Sequence, residues 1–149
     1  MLEEVIWQAI IFIIMLWMLS GSFTVRKDPK LFKERTNIVL TGGAQGIGYE
    51  LAKILVSKAK VNLIILDVVD CSKDRYIGTA KFIKCNLENF DEIQTIWNQI
   101  IKDEGRIDIL INNAAIARGK TFKELSFEEY LQTIHINYLS YVKLTHLFL

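Results

Sequence analysis

Residues 41–48 read TGGAQGIG, and directly after them stand Tyr49 and Lys53, four residues apart. Two kinds of chemistry are written into that one stretch. Glycines let a backbone turn tightly and approach a pyrophosphate with no Cβ in the way. A helix beginning near Gly46 offers free N–H groups and the positive end of its dipole to the same phosphates. A tyrosine and a lysine four apart on a helix share a face, and such a pair can transfer a proton. A third group belongs with the glycines. Asp67 follows the last of them by about 20 residues, where a carboxylate accepts hydrogen bonds from ribose hydroxyls and repels a 2′-phosphate. Neither Gln45 nor Val68 supplies the cation that a 2′-phosphate would need, so NAD is expected in preference to NADP.

These residues need elements to position them, and the apolar pattern supplies candidates. NIVLT (37–41) predicts a strand, followed by a helix from about Gly46 to Ser57. VNLIIL (61–66), KFIKC (81–85) and RIDILIN (106–112) predict three more strands. Asn89 and Glu92 have the spacing of a capping box, with Asn89 accepting from the backbone and Glu92 reaching back to it. Ile93, Ile96, Trp97, Ile100 and Ile101 follow at helical spacing, and Gly105 suits a C-cap. Ser126 and Glu129 form a second box, opening a helix that runs to Leu149. Strands alternating with helices call for right-handed crossovers and a parallel sheet covered on both faces. The near-continuous apolarity of VNLIIL and IDILI fits strands buried on both sides.

Composition narrows the function classes. The chain has 149 residues, 51% of them hydrophobic, with a formal charge of +1. A near-neutral balance argues against nucleic acid as a partner. Cys71 and Cys85 match no metal or redox spacing and read as reduced thiols. His135 and His146 are too far apart to be ligands on one helical turn, so no metal is expected.

Residues 5–25 contain no charged side chain and are long enough to cross a bilayer, which takes about 20 helical residues. The only charged groups before them are Glu3, Glu4 and the amino terminus, whereas Arg26, Lys27, Lys30, Lys33 and Arg35 follow. The positive-inside rule therefore places the body of the protein in the cytosol. The expected organisation is an anchor over 1–25, a basic linker over 26–36 and one domain over 37–149.

The glycine spacing is T-G-x-x-x-G-x-G rather than G-x-G-x-x-G, and here the chain resembles the short-chain dehydrogenase/reductase family. CNLEN (85–89) stands where that family recognises adenine, INNAAI (111–116) resembles its N-N-A-G, and HINYLS (135–140) resembles its V-N-x-x-(G/S). The hydrophobic N-terminus is similar to that of the membrane-anchored retinol and steroid dehydrogenase branch. The implied fold class is α/β: a partial Rossmann-like, doubly wound parallel sheet of about four strands, in the order 3-2-1-4, preceded by a transmembrane helix. The implied activity is NAD(P)-dependent oxidation or reduction at a CH–OH group of a small lipophilic substrate.

Carried over residue by residue, the resemblance puts Thr41, Gly42, Gly46, Ile47 and Gly48 around the pyrophosphate and Asp67 on the adenosine ribose. Asn86, in place of the family's Asp, and Leu87 would meet adenine. Asn112, Ala114 and Ala115 would sit near the nicotinamide-side ribose, with Ala115 replacing a glycine and Asn112 also able to brace neighbouring strands. Asn137 would be the catalytic-site asparagine that holds a water in the proton relay; the alternative is a polar side chain satisfied by neighbouring backbone.

The family's Tyr-x-x-x-Lys lies on a helix after a fifth strand, so Tyr49 and Lys53, on the phosphate-side helix, are expected to be a decoy. The sequence is expected to be the cofactor half of an enzyme, ending before the Ser, Tyr and Lys of the active site, and inactive by itself. A fourth strand left as an apolar edge and a last helix short of partners would make the fold marginal, and that helix could pair with another chain. Alternatives are a non-catalytic NAD-binding or interaction module, or a product without function. The expected location is a single-pass protein of the endoplasmic reticulum, with lipid droplet or mitochondrial outer membrane as alternatives.

Overall fold

Alternation along two strands builds the centre of the molecule. In β1 (Thr36–Thr41), Ile38 and Leu40 face one side of the sheet and Val39 the other. In β2 (Val61–Asp67), Leu63 and Ile65 join the first side, and Ile64 and Leu66 the second. Both faces are therefore apolar, as a parallel strand covered on both sides requires. The computed structural model describes residues 36–58 and 61–149. The other elements are α1 (Gly46–Lys58), β3 (Lys81–Lys84), α2 (Phe90–Glu104), β4 (Ile109–Ile111), α3 (Phe127–Ile134), a π-helical turn (His135–Leu139) and α4 (Ser140–Phe148).

The four strands pair in parallel in the order β3-β2-β1-β4, as expected from the sequence. Helix α1 covers one face with Ala52 and Leu55. Helix α2 covers the other with Ile93, Trp97 and Ile100, joined by Leu144 of α4. Each aliphatic side chain fully buried in this way contributes about 1.5–3 kcal/mol. The described residues all belong to one compact unit.

Polar side chains tie the amino-terminal ends of the strands together. Asn37 Nδ2 donates to the carbonyl oxygens of Glu104 and Arg106, and Asn62 Nδ2 donates to Asn37 Oδ1 and Glu104 Oε2. Lys81 then pairs with Asp103 and Glu104 at 2.9 and 3.1 Å.

Three expectations are corrected. β4 covers Ile109–Ile111 rather than 106–112, because side chains take over its ladder at both ends. At one end the Asn37 amide donates to the Asp108 carboxylate; at the other, Thr41 Oγ1 accepts from the amides of Asn113 and Ala114. Glu92 does not reach back to Asn89. The Asn89 amide already donates to the Asn86 carbonyl, so Glu92 Oε1 accepts from the unpaired Asn86 amide at 3.0 Å instead. Asn89 still caps α2, accepting from Asp91 and Glu92, and Gly105 closes it at φ +82°. The last helix is better anchored than expected. Leu144 is fully buried, with Leu147 and Phe148 packed around it.

The Ser126–Glu129 capping box forms with both of its hydrogen bonds. The predicted anchor over 1–25 and the basic linker up to residue 35 lie outside the described residues. Among the described residues no helix is long and apolar enough to cross a membrane.

Candidate functional site

The strand order reverses its direction of growth at β1, since β2 and β3 extend to one side and β4 lies on the other. Ligands of open α/β sheets bind beyond the carboxyl ends of the strands at such a switch point. A cleft of about 500 Å³ opens there. Its walls are the glycine loop (Gly42, Gln45, Gly46, Ile47), the end of β2 (Leu66, Asp67, Val68), residues 85–87 after β3, residues 113–116 after β4, and Ile136.

The glycine loop is shaped by close approach. Gly42 has φ +68°, and a Cβ on it would lie 2.6 Å from the Ala114 Cα. A Cβ on Gly48 would lie 2.0 Å from the Gly42 carbonyl oxygen. Gly46 needs its φ of +58° but has open space around it. The loop thus stays free of side-chain bulk where α1 begins, and no acidic residue occupies the first turn of that helix. Its free N–H groups remain available to an anion.

Asp67, 8% exposed, is oriented by backbone on both of its oxygens. Oδ2 accepts from the Ala44 amide and Oδ1 from the Val69 amide, each at 3.0 Å. One carboxylate therefore fixes the glycine loop to the end of β2 while facing the cleft. Across the cleft, Thr41 is fully buried and does a similar task. Its Oγ1 accepts from Asn113 and Ala114 at 2.9 and 3.0 Å, and its hydroxyl donates to the Ile111 carbonyl at 3.4 Å.

Of the residues the sequence singled out, Gly42, Gly46, Ile47, Asp67, Asn86, Leu87, Ala114 and Ala115 line the cleft together. Thr41, Gly48, Asn112 and Asn137 do not. Thr41 and Gly48 lie directly behind the wall, as brace and as close-packed backbone.

Asn112 requires correction. Its Nδ2 donates to Thr145 Oγ1 at 3.2 Å on the far face of the sheet, and its buried Oδ1 accepts nothing among the described residues. The neighbouring Asn113 is the bracing residue, with Nδ2 donating to the carbonyl oxygens of Thr41 and Gly42 at 3.0 Å each. Strand parity contains that signal: Ile109, Ile111 and Asn113 share the α1 face, while Leu110 and Asn112 share the other.

Asn137 has its side chain fully engaged by backbone. It donates to the Ile116 carbonyl at 2.8 Å and accepts from the Ile116 amide at 2.9 Å. It stands in the middle of the π-helical turn, where Ser140 Oγ donates to the Ile136 carbonyl at 2.6 Å. Asn86 Oδ1 accepts from the Glu88 amide at 3.0 Å, closing a local turn beside the cleft.

Gln45, Leu66, Val68, Cys85, Asn113, Ile116 and Ile136 also line the cleft without having been assigned to it. Ile136 comes from a distant helix, and no local spacing points to it. Cys85 is buried, and burial pushes its thiol up to about 12.

Tyr49 and Lys53 lie apart from the cleft. The Tyr49 hydroxyl donates to the Asp74 carboxylate at 3.2 Å, and the Lys53 ammonium sits 4.8 Å from the Tyr49 ring centre while pairing with Glu50 at 2.8 Å. Burial, then the Asp74 carboxylate, raises the Tyr49 phenol, the opposite of what a proton-transfer tyrosine needs. The pair fastens the loop after β2 to α1.

The glycine loop, the oriented carboxylate and the switch-point cleft occur in one arrangement, and the family model for short chain dehydrogenases matches residues 36–149. The chain belongs to the short-chain dehydrogenase family. It is 30% identical over 112 residues to an uncharacterized oxidoreductase of Saccharomyces cerevisiae, covering 74% of this chain and 36% of that one. It is 32% identical over 114 residues to acetoacetyl-CoA reductase of an Acinetobacter species, covering 70% and 45%. Among solved structures, a short chain dehydrogenase of Leptospira borgpetersenii with bound NAD+ superposes with a TM-score of 0.72 at 26% identity, covering 83% of this chain and 48% of that one. The chain thus spans less than half the length of these short-chain dehydrogenase relatives.

Proposed function

We propose that this chain forms the NAD-binding half of a short-chain dehydrogenase acting on an alcohol or ketone. The observation that carries this reading is Asp67, aimed into the cleft beside a glycine loop with no room for side chains at Gly42 and Gly48. The residues fit a dinucleotide. The loop and the first turn of α1 would receive the pyrophosphate, and Asp67 would accept from the ribose hydroxyls on the β2 side. Residues 113–116 would border the other ribose. The bound nicotinamide would supply the site that gives or takes hydride. NAD is favoured over NADP because Asp67 would repel a 2′-phosphate and neither Gln45 nor Val68 offers a compensating cation.

The lipophilic character of the substrate, and a single-pass location at the endoplasmic reticulum with the domain facing the cytosol, rest on residues 5–25 and the basic residues after them. Pairing with another chain through the last helix is supported by the exposure of Tyr138 and Val142. A second reading, binding of NAD without turnover, is favoured by the cleft lining, which among the described residues holds no tyrosine, lysine or serine.

Titrating the full chain in detergent with NADH and NADPH tests the proposal. NADH is expected to bind at least about tenfold more tightly. Equal affinities would remove the NAD preference, and binding of neither would remove the cofactor reading altogether. Oxidation of a long-chain alcohol or sterol by the full chain supplied with NAD+, read as NADH formed, separates the catalytic reading from the binding-only one.

A further inference from the structure

The strand extension after β4, residues 113–116, makes one wall of the cleft and has no ladder partner among the described residues. Its backbone groups are held from two sides instead. From β1, Thr41 Oγ1 receives the amides of Asn113 and Ala114. From the helical side, Asn137 receives the Ile116 amide and donates to the Ile116 carbonyl. Between these two attachments lies the Ala114 carbonyl. The hydroxyl of Tyr141, four residues after Asn137, donates to it at 2.5 Å.

We propose that Tyr141 is a positioning residue of the cleft, which through the Ala114 carbonyl fixes the wall that receives the nicotinamide half of the cofactor. Tyr141 belongs to none of the sequence motifs that carry the family resemblance. A phenol suits the task because the ring is rigid, with two side-chain torsions, and ends in a single donor. Burial raises its pKa, so the hydroxyl keeps its proton and remains a donor across the neutral range. The hydrogen bond turns the Ala114 carbonyl toward α4. The next residue along the wall, Ala115, is exposed and lines the cleft. Asp67, at the end of β2, lies on the opposite side of β1, and the glycine loop, although Gly42 packs on the Ala114 Cα, receives no hydrogen bond from Tyr141.

The proposal rests on the dinucleotide reading of the cleft, and the experiment separates the two. NADH and ADP are titrated into the full chain and into Tyr141→Phe. ADP probes only the adenosine and pyrophosphate side. The variant is expected to bind NADH about tenfold more weakly, equivalent to one neutral hydrogen bond, while binding ADP within about twofold of the parent. A general loss of structure would weaken both ligands alike, and that outcome overturns the proposal, as does unchanged NADH affinity. A parent chain that binds neither ligand overturns the dinucleotide reading and the role of Tyr141 with it. If Tyr141→Phe does not fold, 3-fluorotyrosine is introduced into the full chain and the Tyr141 resonance is assigned by replacing the other tyrosines singly. That resonance is expected to move with NADH and not with ADP; one that ignores NADH, or follows both alike, overturns the proposal.

Discussion

Gly48 faces the carbonyl oxygen of Gly42 so closely that a Cβ on Gly48 would lie 2.0 Å from it and 2.4 Å from Asn113 Nδ2. This contact joins α1, the glycine loop and the strand extension after β4 at one point behind the cleft. Gly48→Ala must therefore displace backbone, and a loss of about 4 kcal/mol or more is expected. Gly46→Ala meets nothing within 4 Å and pays only for its φ of +58°, about 1–2 kcal/mol. Denaturant unfolding of the two variants should show that order; equal losses would contradict the geometry.

Thr41→Val keeps the shape of a fully buried side chain but leaves the Asn113 and Ala114 amides without their acceptor. A destabilisation of about 2–4 kcal/mol is expected, with Thr41→Ser retaining most of the stability. Unfolding midpoints in urea check both variants, and a Val variant as stable as the Ser variant would sink the brace.

Asp67→Asn substitutes an uncharged amide for a carboxylate that both faces the cleft and accepts from Ala44 and Val69. NADH affinity should fall about tenfold, and the preference over NADPH should shrink with the lost charge. Fluorescence titration with both reduced cofactors measures this. An unchanged ratio would mean that the carboxylate does not discriminate.

Tyr49→Phe removes a hydroxyl that meets Asp74 rather than the cleft. NADH affinity is expected to stay within about twofold, whereas proteolysis of the loop after β2 should accelerate because one of its attachments to α1 is gone. A large drop in NADH binding would return Tyr49 to the site.

Cys85 gives a pH dependence of definite sign. Burial, with a smaller push from Glu92, raises its thiol to about 12, above the ordinary cysteine value. The folded state thus favours the protonated thiol. The associated stability is complete below about pH 9 and is lost as pH rises toward 12. Between those limits the parent chain should lose up to about 1.4 kcal/mol per pH unit more than Cys85→Ala, measured by denaturant unfolding at pH 8 and 10.5. Parallel pH profiles would show that Cys85 is not buried in solution.

The sequence by itself determined the elements and their order. Local spacing decides which residues are apolar every second or every third to fourth position, and glycine loops and capping boxes are local as well. For that reason β1, β2, α1 and α2 were legible to within a residue or two, and Gly42, Gly46 and Asp67 could be placed at one site before any coordinates. Tertiary structure decided what depends on neighbours from distant parts of the chain. Asn112 and Asn113 are adjacent and chemically identical, yet the pleat turns one toward Thr145 and the other toward Gly42. Glu92 chose the Asn86 amide because a turn had already satisfied Asn89. Ile136 reached the cleft, and Tyr141 the Ala114 carbonyl, only because α4 packs Leu144 against α2 and the sheet. Propensity and spacing act over one or two turns of chain, whereas the partner of a buried donor or acceptor is set by whichever group packing brings within 3 Å.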